Sequence, residues 1–284
     1  MFDHLDCVPQ TGNPQFSGFA KRDLEFGLTE EQLIMYHEKG FVVLKGVLSL
    51  DDVEIYRKAL DRSLENALSR DKEIGRDPKN NIRYEISKDA EGKDIVWKID
   101  PFSGLCPILG ALPRDKRILD AVSSIYEGHE PALFKDKLII KPAGTHGNHL
   151  HQDYNWWQGF PKSLLSVTIP LDATNRENGC TELYTGHKRG FIHDTDSDFS
   201  QLDQKKVEYE EHHYLELELG DVAIFSCFTP HASGSNTSVS NRRVFFLSYN
   251  DSRDGEFYQA HYQHMRWYRT KVMGEEEKSK CYYI

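Results

Sequence analysis

Residues 149–153, with the sequence HLHQD, place two histidines and an aspartate at alternate positions. Side chains two residues apart on an extended strand point to the same face, so His151 and Asp153 would lie side by side. With one distant histidine they would form a triad of two histidines and one carboxylate. Such a triad leaves half of an octahedral ion open, which suits the oxygen chemistry of non-haem Fe(II). The pair alone is weak evidence in a chain with 13 histidines, so its context matters.

We expect the third ligand to be His231, which ends the segment LELELGDVAIFSCFTPH. The segment is interpreted as a hairpin turning at Gly220 and Asp221, followed by an apolar strand whose end presents the histidine. Arg242 comes eleven residues later and opens the strand RRVFFLSYND. Its guanidinium can bind a carboxylate through two parallel hydrogen bonds. Arg243 is the alternative, because adjacent strand residues point to opposite faces.

An aromatic run, Tyr154, Asn155, Trp156 and Trp157, directly follows the candidate aspartate. These residues are expected to line the wall of a substrate pocket, where aromatic rings can attract an ammonium group. On a continuing strand only Trp157 would share the face of Asp153, whereas a bend after Asn155 would exchange the two tryptophans. We therefore expect one tryptophan in the pocket and the other in the core.

The pattern of elements indicates helices first and strands later. Thr29 and Gln32 have the spacing of a capping box, and Ser49 precedes a long amphipathic segment. From about residue 96, short apolar segments separated by turn residues predict an all-β sandwich or barrel. We expect one domain spanning 1–284, in which N-terminal helices buttress the β-structure.

That domain divides into four segments on the basis of composition. We expect an N-terminal arm over 1–27, a helical buttress and loop over 28–95, a β core over 96–250 and a C-terminal extension over 251–284. The charged stretch 71–95 is interpreted as a loop, a lid or a solvated connection.

Composition restricts the class of protein. The 284 residues carry a net charge of −10 without a long basic run, which argues against nucleic-acid binding. The five cysteines are widely spaced and include no CxxC, so reduced thiols and a cytoplasmic location are expected. The N-terminus does not resemble a signal peptide, and no apolar run is long enough to cross a membrane. A small-molecule substrate and a monomer or small homo-oligomer fit these features.

Several segments together resemble the phytanoyl-CoA dioxygenase family. They are KPAGTHGNHLHQD, NRENGCTELYTGHKRG, LELGDVAIFSCFTPHASGSN and RRVFFLSYN, and the likeness runs from about residue 35 to 250. Members of that family are Fe(II)- and 2-oxoglutarate-dependent oxygenases. The resemblance therefore implies a mainly β fold with a double-stranded β-helix, or jelly-roll, core.

The resemblance also implies roles for individual residues. Iron would be held by His151, Asp153 and His231. The C5 carboxylate of 2-oxoglutarate would be bound by Arg242 and by Ser233, two residues after the distal histidine.

Further cosubstrate contacts are implied for Lys98 and Gln152. Thr168 stands where some members have a tryptophan against the cosubstrate, so that wall differs here. A plain surface position remains the alternative for Lys98. Lys135 and Lys137 share a strand face and are expected to be solvated, although Lys137 could reach the cosubstrate.

The expected reaction is hydroxylation of a C–H bond of a small polar molecule, using O₂ and 2-oxoglutarate and releasing succinate and CO₂. A carboxylate at Asp153 favours hydroxylation, because halogenases of the family have glycine or alanine there. The aromatic run and the acidic surface favour an amine-bearing or aminophosphonate substrate over an acyl-CoA ester or other lipid-derived compound. A zinc hydrolase and a non-catalytic cupin-like binding protein are the alternatives of other classes.

Overall fold

The protein is described from a computed structural model, which covers residues 21–69, 75, 82–89, 91–192 and 201–283. Its α-helices are α1 (Glu30–Lys39), α2 (Leu50–Ser69), α3 (Pro107–Ala111), α4 (Lys116–Ile125), α5 (Tyr258–Lys271) and α6 (Glu275–Lys278). Its strands are β1 (Phe41–Leu44), β2 (Arg83–Lys88), β3 (Asp94–Asp100), β4 (Pro131–Lys141), β5 (Asn148–His151), β6 (Leu165–Pro170), β7 (Thr181–Tyr184), β8 (His212–Tyr214), β9 (Val222–Ser226), β10 (His231–Ser233), β11 (Arg242–Asp251) and β12 (Cys281–Tyr283).

Two antiparallel sheets face each other. The major sheet has the order β1-β9-β6-β11-β4-β3-β2-β12, and the minor sheet has the order β5-β10-β7-β8. From β4 to β11 the chain passes repeatedly from one sheet to the other, which is the winding of a jelly roll. The predicted mainly β fold with a jelly-roll core is confirmed.

This winding overturns one local prediction. The segment around Gly220 was expected to be a hairpin turn, but β8 pairs with β7 whereas β9 pairs with β1 and β6. Gly220 therefore lies where the chain crosses from the minor to the major sheet. Its φ is +89°, and a Cβ there would lie 2.2 Å from the carbonyl oxygen of Leu48. Only glycine fits this crossing.

The outward face of the major sheet packs against the helices. Both predicted N-terminal signals are present: Thr29 and Gln32 form a capping box on α1, and Ser49 exchanges hydrogen bonds with Asp52 at the start of α2. The largest hydrophobic cluster joins this sheet face to the helices, and it includes Val53, Leu60, Ile118, Val122, Leu138, Ile140, Val167, Ile169, Phe245 and Leu247. The helices thus buttress the sheet as expected.

The inward face of the major sheet is largely polar. Ser166 on β6 donates a hydrogen bond to Asp153, which identifies its side of the sheet as inward. Directly paired residues of neighbouring strands share a face. Register therefore places the following residues on the inward face: Lys98, Lys135, Lys137, Ile139, Lys141, Thr168, Arg242, Val244, Phe246 and Ser248.

The major sheet also takes strands from outside the segment 96–250, namely β1, β2 and β12. The prediction of a loop over 71–95 is wrong for Arg83–Lys88, which form β2 between β3 and β12. The reason is tertiary, since Tyr84 is buried against Tyr282 of β12. Residues 1–20 of the expected arm and residues 71–74, 76–81 and 90 of the expected loop lie outside the described residues.

Within the described ranges, no helix combines the length and the apolar composition that crossing a bilayer requires.

Candidate active site

The three candidate metal ligands meet between the sheets. His151 ends β5, Asp153 begins a short 3₁₀ turn, and His231 opens β10 directly opposite His151 in register. One ligand atom from each residue lies within 4.8 Å of the others. The Nε2 atom of His231 is 3.9 Å from Oδ1 of Asp153, and the two imidazole rings are 4.1 Å apart. Strand pairing therefore joins residues that are far apart in the chain.

Each residue of the triad is held by a hydrogen bond on its outer side, which leaves one metal-coordinating atom of each residue facing the centre of the triad. Nδ1 of His151 bonds the carbonyl of His149 at 2.6 Å, and Nδ1 of His231 bonds the carbonyl of Thr229 at 2.9 Å. A carbonyl accepts, so each Nδ1 carries the proton and each Nε2 keeps its lone pair. Ser166 donates to Oδ2 of Asp153 at 2.7 Å, leaving Oδ1 toward His231.

Electrostatics favour the protonation states that a metal needs. Burial, followed by the charge of His231, lowers the pKa of His151 to about 3. Burial also lowers the pKa of His231. Burial raises the pKa of the Asp153 carboxyl, but His231 and then Lys137 outweigh it, so that pKa lies below its usual range. Neutral imidazoles and an ionised carboxylate are the forms that coordinate a cation.

Arg242 and Arg243 have opposite environments. Arg242 points inward and is 4% exposed; its Nη1 donates to the carbonyl of Gly179 at 2.6 Å, and its Nε has no partner. Burial lowers the pKa of Arg242 to about 10. Arg243 points outward and binds Asp172 and Asp61, each at 2.9 Å. Arg242 is therefore the arginine whose guanidinium still has unused hydrogen-bond donors.

A second buried cation, Lys141, lies opposite Arg242 in register. Its Nζ donates to Ser233 Oγ at 2.9 Å and to the carbonyl of Gly179 at 3.2 Å. Burial, followed by the charge of Arg242, lowers the pKa of Lys141 to about 8. Within the described chain neither cation forms a salt bridge with a carboxylate. Lys141 was missed by the sequence analysis, although strand alternation from Lys137 places it on the same face.

Gly179 is required at this position. Its φ is +68°, and a Cβ there would lie 2.4 Å from the backbone carbonyl oxygen of Gly234. The hydroxyl of Ser233 accepts from Lys141 and from the Asn148 amide, which leaves its own hydrogen free to donate. Buried Thr168, on the same sheet face, has a hydroxyl without a partner. Buried charge without a counterion is costly, so this recess fits an anionic ligand such as the C5 carboxylate of 2-oxoglutarate.

Two other predicted cosubstrate contacts have different surroundings. The Gln152 amide donates to the carbonyls of Gly190 and Phe228 and accepts from the Ile192 amide. The Gln152 side chain is therefore held by backbone groups, and its contact with the cosubstrate stays a prediction. Lys98 faces inward, but its Nζ lies 3.8 Å from a carboxylate oxygen of Glu85.

The two tryptophans of the aromatic run lie in different surroundings, as expected if the chain bends instead of continuing as a strand. Residues Asp153–Trp156 form a 3₁₀ turn instead of a continuing strand. Trp156 is 42% exposed and stands edge-on to His151 with ring centroids 5.0 Å apart. Trp157 is buried against Phe134. Of the four predicted pocket residues, Trp156 is therefore the one with a ring against a candidate metal ligand.

The remaining members of the run have packing or backbone contacts. The Tyr154 ring is buried beside Phe228, and its hydroxyl donates to the Phe160 carbonyl at 3.2 Å. The backbone carbonyl of Asn155 accepts from the Gln158 side chain at 3.1 Å. Tyr154 and Trp157 thus belong to a packed aromatic cluster, because the 3₁₀ turn rotates them away from the open side.

Replacing Trp157 with alanine should destabilise the protein by about 3–5 kcal/mol, the usual cost of truncating a buried aromatic side chain. Denaturant unfolding followed by circular dichroism measures this change. Trp156→Ala is the matched control, and its half-exposed ring should cost less than about 1 kcal/mol. Equal losses for the two variants would contradict the division into packed and open tryptophans.

Comparison with known proteins adds an independent line of evidence. Residues 36–244 match the sequence profile of the phytanoyl-CoA dioxygenase (PhyH) family. The chain belongs to the phytanoyl-CoA dioxygenase family. It is an Fe(II)- and 2-oxoglutarate-dependent dioxygenase, and the triad described above suits the iron that such enzymes bind.

Named relatives of this dioxygenase show where its similarity lies. It is 27% identical over 231 residues to the 2-aminoethylphosphonate dioxygenase of uncultured bacterium HF130_AEPn_1. The aligned region covers 80% of this chain and 84% of the relative. It is 29% identical over 246 residues to the ectoine dioxygenase of Bordetella bronchiseptica, covering 78% and 75% respectively. The structure of EctD from S. alaskensis with 2-oxoglutarate and 5-hydroxyectoine matches with a TM-score of 0.67 at 19% identity, over 83% of this chain and 81% of that one. The structural match supports the jelly-roll fold.

Proposed function

We propose that this dioxygenase hydroxylates a C–H bond of a small polar molecule, with an amine-bearing or aminophosphonate compound favoured. His151, Asp153 and His231 would hold Fe(II), and Arg242, Lys141, Ser233 and Thr168 would bind 2-oxoglutarate. The observation that carries the proposal is the pair of buried cations, Arg242 and Lys141, which form no salt bridge within the described ranges and lie beside a triad suited to iron.

Iron bound with 2-oxoglutarate and O₂ supplies the oxidation of the C–H bond, with release of succinate and CO₂. The protein contributes orientation and exclusion of water. Ser166 holds the Asp153 carboxylate, and backbone carbonyls hold both imidazoles in one tautomer. The carboxylate at Asp153 fills the position that a halogenase would leave for a halide.

The substrate class rests on the relatives and on the open side of the site. The named relatives act on 2-aminoethylphosphonate and on ectoine, which are both small polar molecules. In this chain the half-exposed ring of Trp156 borders the triad, where an ammonium group could be attracted to it. Lys98 lies on the neighbouring inward face and stays a candidate contact to the ligands.

We also propose a cellular location, a class of partner and an oligomeric state for the enzyme. Among the described residues, Cys106, Cys180, Cys227 and Cys281 form no disulfide, which is consistent with a reducing cytoplasm. A small-molecule substrate, no nucleic-acid or membrane partner, and a monomer or small homo-oligomer complete the proposal.

A turnover screen tests the proposed function. Purified protein with Fe(II), 2-oxoglutarate and ascorbate should release succinate in a substrate-dependent manner when 2-aminoethylphosphonate, methylphosphonate, ectoine and a branched acyl-CoA are compared. Succinate and the hydroxylated product are measured together by mass spectrometry. Turnover with the acyl-CoA alone would replace the proposed substrate class by the lipid-derived one. Absence of succinate under every condition, including uncoupled turnover, would favour a hydrolase or a binding protein.

A further inference from the structure

The inward face of β3 and β4 carries more positive than negative charge beside the triad. Lys98, Lys135 and Lys137 share this face by register, and Arg83 of the neighbouring strand β2 lies close to them. The expectation that Lys135 is solvated is wrong, because its side chain is only 12% exposed. In a protein with a net charge of −10, this face gathers one buried cation, Arg83, and three half-buried lysines.

Two carboxylates form salt bridges with three of these four cations. Asp100 lies 3.5 Å from both Arg83 and Lys135, and Glu85 pairs with Arg83 and lies 3.8 Å from Lys98. Burial, followed by the charge of Arg83, lowers the pKa of Lys98 to about 7. The neighbouring cations therefore already exceed the negative charge available to them.

Among the described residues Lys137 is the one of these four cations without a salt bridge, although its charge lowers the pKa of the Asp153 carboxyl. Across the described ranges its ammonium has neither a salt bridge nor a hydrogen bond, and its Nζ lies 5.1 Å from the ring centroid of Phe246. Lys137 pairs with Phe246, two residues along β11 from Ser248, and Ser248 lies beside the Ser166 that binds Asp153. The side chain therefore stands between the triad and the Arg242 end of the sheet.

The cosubstrate does not need this charge. One carboxylate of 2-oxoglutarate is expected on the metal, and the other is matched by Arg242 and Lys141. A half-buried ammonium without a salt bridge is stabilised by a further anion, and the remaining ligand is the substrate.

On the basis of the proposed function, we propose that Lys137 is a specificity-determining residue that binds an anionic group, a phosphonate or a carboxylate, close to the C–H bond that is oxidised. The ammonium acts as a point charge and can donate to any of several ligand oxygens. A small zwitterion then fits with its anionic end on Lys137 and its ammonium toward Trp156. An acyl-CoA ester fits less well, because its thioester end is uncharged and its phosphates lie at the far end of the pantetheine arm.

Binding without turnover tests this inference. The protein is loaded with Mn(II) and 2-oxoglutarate without O₂, and calorimetry gives Kd values for 2-aminoethylphosphonate, β-alanine, methylphosphonate and the neutral-headed 2-aminoethanol. The wild type should bind anions in preference to 2-aminoethanol. Lys137→Met should weaken anion binding by at least about 10-fold, the effect of losing a charge-assisted hydrogen bond. Comparison of 2-aminoethylphosphonate with β-alanine decides between phosphonate and carboxylate.

Controls separate this role from a structural one. Lys137→Arg should restore much of the anion affinity, and Lys58→Met removes the same charge from the exposed surface of α2 and should change nothing. The KM for 2-oxoglutarate in uncoupled decarboxylation should be unchanged in Lys137→Met, since Arg242 and Lys141 remain. Because Lys137 has no ion pair to lose, the variant should also keep the wild-type Tm.

Several outcomes would overturn the inference. A raised KM for 2-oxoglutarate in Lys137→Met would assign the residue to the cosubstrate. Unchanged anion affinity in that variant, or a wild type that binds 2-aminoethanol but no anion of the panel, would remove the substrate role. Failure of the proposed function looks different, because the wild type would then form no succinate from 2-oxoglutarate at all.

Discussion

Replacing His231 with alanine should abolish succinate formation from 2-oxoglutarate. The variant keeps His151 and Asp153 but loses the ligand that β10 presents directly opposite them. Loss of a residue that merely orients a ligand typically costs about 10–100-fold in metal affinity or activity, so loss of the ligand itself should cost more. Iron content measured by mass spectrometry and succinate release measured in parallel would show both effects.

The control for this experiment is another histidine. His37→Ala changes an exposed residue of α1 and should keep wild-type iron content and turnover. Ser166→Ala should give an intermediate result, because it removes the hydrogen bond to Asp153 but leaves every ligand in place. Full activity in His231→Ala would exclude this residue from the metal site and would direct attention to another third ligand.

Replacing Arg242 with methionine should raise the KM for 2-oxoglutarate by at least about 30-fold. A buried charge pair that loses one partner typically costs about 2–5 kcal/mol, because the other charge is left uncompensated. In the free protein the same change removes a buried guanidinium whose Nε has no partner, so folding should not suffer. Initial rates of CO₂ release at varied 2-oxoglutarate give the KM, and thermal unfolding gives the Tm.

Arg243→Met is the matched control. Arg243 binds Asp172 and Asp61 on the outward face, so its loss should lower the Tm and leave the KM for 2-oxoglutarate unchanged. The opposite pattern, with a raised KM in Arg243→Met and a normal one in Arg242→Met, would mean that the wrong arginine has been assigned.

Local periodicity explains why much of the site could be predicted. Residues two apart on a strand share a face whatever the rest of the chain does, so the pairing of His151 with Asp153 depends only on HLHQD being extended. The same period distinguishes Arg242 from Arg243, and the structure turns Arg242 inward. The order of strand-like segments predicted a β sandwich or barrel, and the jelly-roll topology came from the resemblance to a known family.

The sequence left side-chain roles open, or gave the wrong element, where they depend on partners that are distant in the chain. The 3₁₀ turn after Gln152 exchanged the roles of Trp156 and Trp157, and a short local motif does not reveal whether a strand continues. Gln152 is engaged by backbone groups near residues 190 and 228, which come close only after folding. The turn at Gly220 joins two sheets, although its sequence is that of a hairpin.

Strand period and the order of segments by themselves indicated the ligand triad and a β sandwich or barrel, and the family resemblance added the jelly roll. The choice between Arg242 and Arg243 stayed open until the structure turned Arg242 inward. Tertiary structure alone decided which charges are compensated. Lys135 meets Asp100 across strands, Arg243 meets Asp61 of α2, and Lys137 and the Arg242–Lys141 pair meet no carboxylate in the described chain. Coulomb energy falls with distance and depends on burial, and neither quantity can be read from the order of residues. For that reason the cations without a salt bridge could be recognised only in the folded protein.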